Sequence, residues 1–294
     1  GDAKLRHLNM AYGHAEGLYV GERADLTAAS FAEVGLSGAS AAAGSRLSLV
    51  SLAKRSLVNA KLSGCQLSKV TLHACSLAGL NLAGSQLEEV TLLGADLRKV
   101  TLSGTALRRC VLVEANLQGM DLDGLVAPQS QLTKCLLQGA SLRTAELAQV
   151  SFHGAQLAGA DLSGAHAPNL LCNEASLRGA RLVEAQLASA LFVDADVSEA
   201  DFSGAHLHQS VWHRARCGAA KLVDCELTYA DFSHADIAGS DFSGATLFRA
   251  RFHQPREEGA DAIFDAGRAT ALGDDDKLAK AERVIAPSDD NGTP

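Results

Sequence analysis

From about Leu47 to Phe252 a large apolar residue returns at every fifth position: Leu52, Leu57, Leu62, Leu67, Leu72, and so on in phase to Leu247 and Phe252. We call this position the centre. Two places before it stands a small or moderately apolar residue, such as Ala60, Cys65, Val70, Ala115, Ala155 or Ala195. The other three phases are mostly polar or Gly, as in Ala160-Asp161-Leu162-Ser163-Gly164. Helices bury residues at intervals of about 3.6 and strands at intervals of 2, so a beat of five fits neither. It predicts a solenoid in which each short repeat turns one corner and points its small and large apolar residues at a common axis. Gly recurs two places after the centre (Gly64, Gly84, Gly164, Gly204), where a corner would need positive φ.

The runs Ala95-Asp96-Leu97, Ala115-Asn116-Leu117, Ala160-Asp161-Leu162, Ala200-Asp201-Phe202, Ala230-Asp231-Phe232 and Ser240-Asp241-Phe242 resemble the pentapeptide-repeat family, over roughly two thirds of the chain. The resemblance implies an all-β fold, a right-handed quadrilateral parallel β-helix with about four pentapeptides, or twenty residues, per coil. It specifies shape and not chemistry.

A twenty-residue coil can be checked against the residues. It places Phe152, Phe192, Trp212, Phe232 and Phe252 in one column and Phe202 and Phe242 in the opposite one, with aliphatic centres on the two remaining walls. That alternation is what filling a square tube requires. Asp161, Arg181, Asp201, Lys221 and Asp241 then form a ladder of alternating sign, a spacing at which like charges would repel.

Three regions follow: 1–46, an N-terminal cap with irregular early repeats; 47–252, the β-helix; and 253–294, a C-terminal cap and tail. Leu36 and Leu47 are one residue out of phase, and Ser37 to Gly44 is expected to be a loop that absorbs the extra residue. Leu5, Leu8, Met10, Tyr12, Leu18 and Tyr19 are expected to cover the open end. After Phe252 the beat stops, and Ala260 to Leu272 and Lys277 to Ile285 have the composition of a short α-helical cap, followed by a disordered tail. The chain opens on Gly rather than Met, so further residues are expected to have preceded it.

Composition adds exclusions. The net charge of -8 is mild for 294 residues, and no apolar run approaches a membrane span. All seven cysteines fall on inward phases with none stacked on another, which predicts free core thiols, no metal site and a reducing, cytoplasmic compartment. His73, His153, His213 and His253 share one outward column and read as solvated imidazoles. Asp201, Ser203 and His206 have the residue types of a hydrolytic triad, but a convex rod gives them no pocket or oxyanion hole. No catalytic residue and no cofactor is expected. Ala127-Pro128 and Ala167-Pro168 replace a large centre and predict a local bulge or tightened corner.

One departure from polar outward phases points to function. Leu171, Leu191 and Val211 stack one place before the centre on three consecutive coils, joined by Val193 and His213 just past it. An apolar stripe on a rod is a candidate surface for another protein, with packing against the chain's own C-terminal segment as the alternative. The leading reading is a non-enzymatic interaction scaffold or adaptor. Resemblance to long pentapeptide arrays extends it to an accessory of a bacterial, type VI-like secretion system. The same resemblance supplies an alternative, a duplex-DNA mimic that binds and inhibits DNA gyrase and confers quinolone resistance. Such a mimic needs a continuous acidic face, whereas residues 47–150 carry more Lys and Arg than Asp and Glu and the 161–241 ladder alternates. No basic stripe with aromatic platforms indicates direct nucleic-acid binding.

Overall fold

In the computed structural model, residues 9–14, 18–20, 24–26, 30–53, 56–257 and 259–273 are described. The chain winds as a right-handed β-helix of parallel rungs. Between residues 56 and 256 outward residues bridge counterparts twenty positions on along all four walls, as in Ser141↔Asp161, Asp161↔Arg181 and Arg181↔Asp201. Four quintets therefore make one coil, and the tube has four walls, named here for one centre on each: Leu187, Phe192, Val197 and Phe202.

One quintet shows why five residues suffice. Asp201 donates its N–H to the Ala180 carbonyl of the preceding coil, Phe202 to the Lys221 carbonyl of the next, and Gly204 to that of Val223. Ala205 closes the corner by donating back to the Phe202 carbonyl at 2.8 Å. The remaining N–H, on Ser203, is accepted by Oδ1 of Asp201 at 3.0 Å. The Asp or Asn before the centre thus satisfies the donor that the ladders leave over. Asn81, Asp96, Asn116, Asp121, Asp161, Asp196, Asp231, Asp236 and Asp241 do the same.

The same scheme removes the expected bulge at the two Ala-Pro pairs. Pro128 and Pro168 occupy the position whose N–H joins no ladder, and their carbonyls still accept from Arg109 and Gln149. Ala127 and Ala167 are fully buried. Small-position hydroxyls and thiols also find acceptors: Ser85, Thr105, Ser130, Ser240 and Cys225 each donate to a centre carbonyl one coil back. An unbonded hydroxyl there would cost about 1–3 kcal/mol.

The core is a single file of centres. Phe192 and Trp212 stack at 4.2 Å between ring centroids, Trp212 and Phe232 at 5.2 Å, and Phe232 and Phe252 at 5.1 Å. Phe202 meets the first pair edge-on from the opposite wall at 5.7 and 5.2 Å. The Trp212 indole N–H, buried in the tube, donates to Ser210 Oγ at 2.7 Å.

The lower coils differ. On the Leu187 and Phe192 walls the rungs lengthen to three residues: Arg46–Ser48, Gln66–Ser68, Gln86–Glu88 and Ala106–Arg108 on one, Ser51–Ala53, Thr71–His73 and Thr91–Leu93 on the other. At Val70 and Val90 the bond that Ala205 makes to Phe202 is missing. The same bond is absent at Ala95 and Cys110 and present at Val100 and Val150, so its loss goes with the lengthened rungs and not with the residue at the small position.

Both ends depart from expectation. Ser37 to Gly44 is not a loop: Ser40–Ala41 pairs with Tyr19–Val20, and Leu36 and Ala39 are buried. Pairing is offset by 21 at Asn9↔Ser30, Tyr19↔Ser40, Asp25↔Arg46 and Ser40↔Lys61. Tyr19 is exposed and so does not cover the tube mouth, while Leu18 packs against the core. Leu5, Leu8 and the side chains of Met10 and Tyr12 lie outside the described residues. At the other end the tube continues past Phe252 although the five-residue spacing does not: Ile263 bridges Asp241, Leu272 bridges Arg251, and Phe264 stacks on Phe242 at 4.8 Å. Residues 260–272 are therefore not an α-helix. They add a partial coil with a short 3-10 helix, Ala266–Thr270, whose Arg268 guanidinium lies 4.5 Å from the Phe252 ring centroid. Residues 277–285 lie outside the described residues.

Candidate protein-binding face

The Phe192 wall carries the apolar stripe. Leu171 bridges Leu191, Leu191 bridges Val211, and Val211 bridges Asp231, so the three apolar residues stand on consecutive rungs as the sequence indicates. Each is half-buried by its neighbours above and below, and each stands beside a fully buried centre: Cys172, Phe192 and Trp212. The stacked Phe192 and Trp212 rings give the stripe a rigid backing.

Val193 and His213 occupy the next column and are also half-buried. His213 Nε2 lies 3.1 Å from Asp231 Oδ2, near enough for an ion pair though not aligned as a hydrogen bond. Arg251 Nη1 approaches the same oxygen at 3.6 Å. Burial works to raise the Asp231 pKa, but hydrogen bonds from Ser233 and the contact with His213 outweigh it and hold the carboxyl below its ordinary value. The stripe thus runs upward from apolar to ionic within one coil. The described C-terminal residues sit at the end of the tube, on the Asp241 and Arg251 ladders.

A second feature, absent from the sequence reading, adjoins the ionic end. Tyr229 and Phe248 are 45 and 48% exposed. Their rings meet edge-on at 5.9 Å, His208 approaches Tyr229 at 6.1 Å, and the Arg249 guanidinium lies 5.6 Å from the Phe248 centroid. Tyr229, Asp231, Arg249, Arg251 and Leu272 line a shallow groove. The available signal was a Tyr and a Phe at two phases that hold no other Phe, Tyr or Trp between residues 47 and 252. It became visible only when twenty-residue stacking placed Tyr229 beside Arg249.

The other candidates resolve locally. Ser203 Oγ donates to Asp201 Oδ1 at 2.6 Å, whereas His206 Nδ1 faces Glu226 Oε2 at 3.1 Å, so Asp201, Ser203 and His206 do not form a relay. His253 is not a solvated imidazole: it is fully buried, with its ring 5.3 Å from that of His234. The cysteines are free; six are buried and Cys75 is half-buried. Burial pushes the Cys110 thiol up to about 11 and that of Cys135 to about 12, which keeps both protonated. Among the described residues no group of three His, Cys, Asp or Glu is placed to hold a metal, and no helix is long and apolar enough to cross a membrane.

Among solved structures the chain is similar to HetL, a pentapeptide repeat protein involved in heterocyst differentiation regulation from the cyanobacterium Nostoc sp. strain PCC 7120. Identity is 25%, covering 86% of this chain and 92% of that one, with a TM-score of 0.24. It is similar to full-length QnrB1, a plasmid-mediated fluoroquinolone resistance protein, at 16% identity over 82 and 100% of the two chains, with a TM-score of 0.34. A third likeness is to Rfr23 from the cyanobacterium Cyanothece 51142, at 15% identity over 63 and 91%, with a TM-score of 0.26. No curated protein matches. All three TM-scores are below 0.5, so membership rests on the repeat itself. The family described as Pentapeptide repeats matches residues 56–92, 92–124, 129–166, 172–209 and 215–254, more than half of the chain, and the protein belongs to that family.

Proposed function

We propose that the protein is a non-enzymatic scaffold that docks another polypeptide along the Phe192 wall, through Leu171, Leu191, Val193, Val211 and His213. The observation that carries this reading is the run of apolar residues on three consecutive rungs, at a phase that elsewhere on this wall holds Ser, Thr, Gln, Asp or Arg as well as Val111. Apolar side chains held on a rigid wall lose little conformational entropy on binding, which favours affinity. Tyr229, Phe248 and Arg249 extend the surface with the residue types that most often anchor interfaces.

The duplex-mimic alternative lacks an uninterrupted acidic column: on the Phe202 wall Arg181 and Lys221 separate Asp161, Asp201 and Asp241 rung by rung. No residue of the stripe bears on a secretion apparatus, so the proposal stops at a protein partner. Leu191→Asp places a charge in the middle of the stripe without touching the core. Recovery of bound protein from the source cells should fall about tenfold or more, with thermal stability preserved. Equal recovery by the variant and the unmodified chain would remove this face from consideration.

A further inference from the structure

The lower coils enclose space that the upper coils do not. Above Leu132 every centre from Phe152 to Phe252 is at most 1% exposed, whereas Leu47 and Leu62 each retain 8% of their surface. The difference coincides with a cavity of about 50 Å³ along the tube axis, lined by Leu47, Leu52, Leu67, Leu72, Leu87 and Leu92 among others. Its lining surface is wholly apolar.

The cause lies in the centres. Every centre at this level is Leu, and no ring bridges the gap as Phe192, Phe202 and Trp212 do higher up.

A water molecule needs roughly 10–15 Å³ of such space together with two to four polar partners. Room exists for several, but Ser40, the polar residue of the lining, turns no polar surface to the space, so water gains nothing by entering. Leucine carbons facing an empty gap also forgo dispersion contacts that a guest would restore. We propose that the N-terminal coils hold a binding site for a small, wholly apolar guest, of the size of xenon or a short hydrocarbon. The site is independent of the docking face, since it lies inside the tube and uses none of the stripe residues.

Xenon is the direct probe. Crystals of the full chain pressurised with xenon should show an anomalous peak on the tube axis between the Leu52 and Leu92 levels, and hyperpolarised ¹²⁹Xe in solution should report one saturable site. Leu72→Phe puts a ring on the wall that carries rings higher up, where Phe152 already stands buried between Leu132 and Cys172. It should abolish the peak and raise the melting temperature by a few degrees. Should that variant fail to fold, Leu92→Phe makes the same test one coil higher. Absence of xenon from the tube in the unmodified chain, or an unchanged peak in the folded Phe variant, would overturn the proposal.

Discussion

At the scale of single residues the corner position two places after the centre sets a recurring strain. Gly124 has φ +65° and Gly164 +66°, and non-glycine residues adopt the same region, among them Thr144 at 53° and Tyr229 at 61°. For an L-residue this conformation costs about 1–2 kcal/mol, and a β-branched side chain is the worst placed to accept it. The ladders impose it because the N–H there must reach the next coil, as Thr144 N–H reaches the Ser163 carbonyl at 3.0 Å. Thr144→Gly should therefore stabilise the protein by about 0.5–1 kcal/mol, after allowing for the greater freedom of Gly in the unfolded chain. Gly124→Ala should destabilise it by a similar amount through conformation alone, since an added Cβ meets nothing within 4 Å. Urea unfolding midpoints of the two variants, moving in opposite directions, check this. A side chain tolerated at such a corner does not by itself signal function. Tyr229 stands out through its exposure and its neighbours Phe248 and Arg249.

At the scale of the quintet the Asp before the centre serves the corner more than the ladder of charges. Asp161 and Arg181 are bridged on adjacent rungs but only 4.0 Å apart as an ion pair, with the Arg181 side chain well exposed, whereas Asp161 Oδ1 takes both the N–H and the hydroxyl of Ser163. For Asp201 burial acts to raise the pKa, but hydrogen bonds from Ser203 prevail and lower it. Asp196 is lowered by the same balance with Ser198, and Asp123 by hydrogen bonds from Arg143 and Ser141. A carboxylate with a depressed folded pKa contributes stability above its unfolded value, near 3.9, and that contribution is lost as pH falls through the folded value. Asp201→Asn keeps the acceptor for the Ser203 N–H and loses the titration. It should match the unmodified chain within about 1 kcal/mol at pH 7 and lose less stability between pH 5 and pH 2, as followed by urea unfolding at each pH. The column of alternating signs was legible in the sequence because spacing alone fixes register. The reason for Asp was not, since it depends on which backbone donor the ladders leave unpaired. The two Ala-Pro pairs have the same explanation: they look disruptive until the free position after the centre is known.

At the scale of the whole tube, register is the quantity that the sequence specifies, and it does so through ring columns more than through any single contact. The stacks from Phe192 to Phe252 were readable from the twenty-residue spacing, as was the order of Leu171, Leu191 and Val211 on their wall. The ends were less readable, because there the offset becomes 21 or 22 and the beat is carried by Ile263, Phe264 and Leu272, whose spacing breaks the pattern. The cavity of the lower coils was hidden for a different reason: a column of Leu centres and a column of rings look alike to a hydrophobic pattern and differ only in how much of the tube they fill. A solenoid of this kind is stabilised by each coil and its contacts with the next, so length and register can be tested separately. Removing residues 203–222 takes out one whole coil and leaves Phe232 above Phe192 and Leu227 above Leu187. Removing residues 203–207 takes out a quarter as much chain but turns everything after Phe202 by one wall, which sets Trp212 above Leu187 and breaks the ring stack at that level. The longer deletion should cost the less of the two, giving a folded, shorter rod with a melting temperature within about 5 °C of the parent and its near-ultraviolet aromatic signal retained. The five-residue deletion should lower the melting temperature further and weaken that signal. Equal tolerance of both deletions would mean that the walls are interchangeable and that the ring columns do not hold the register.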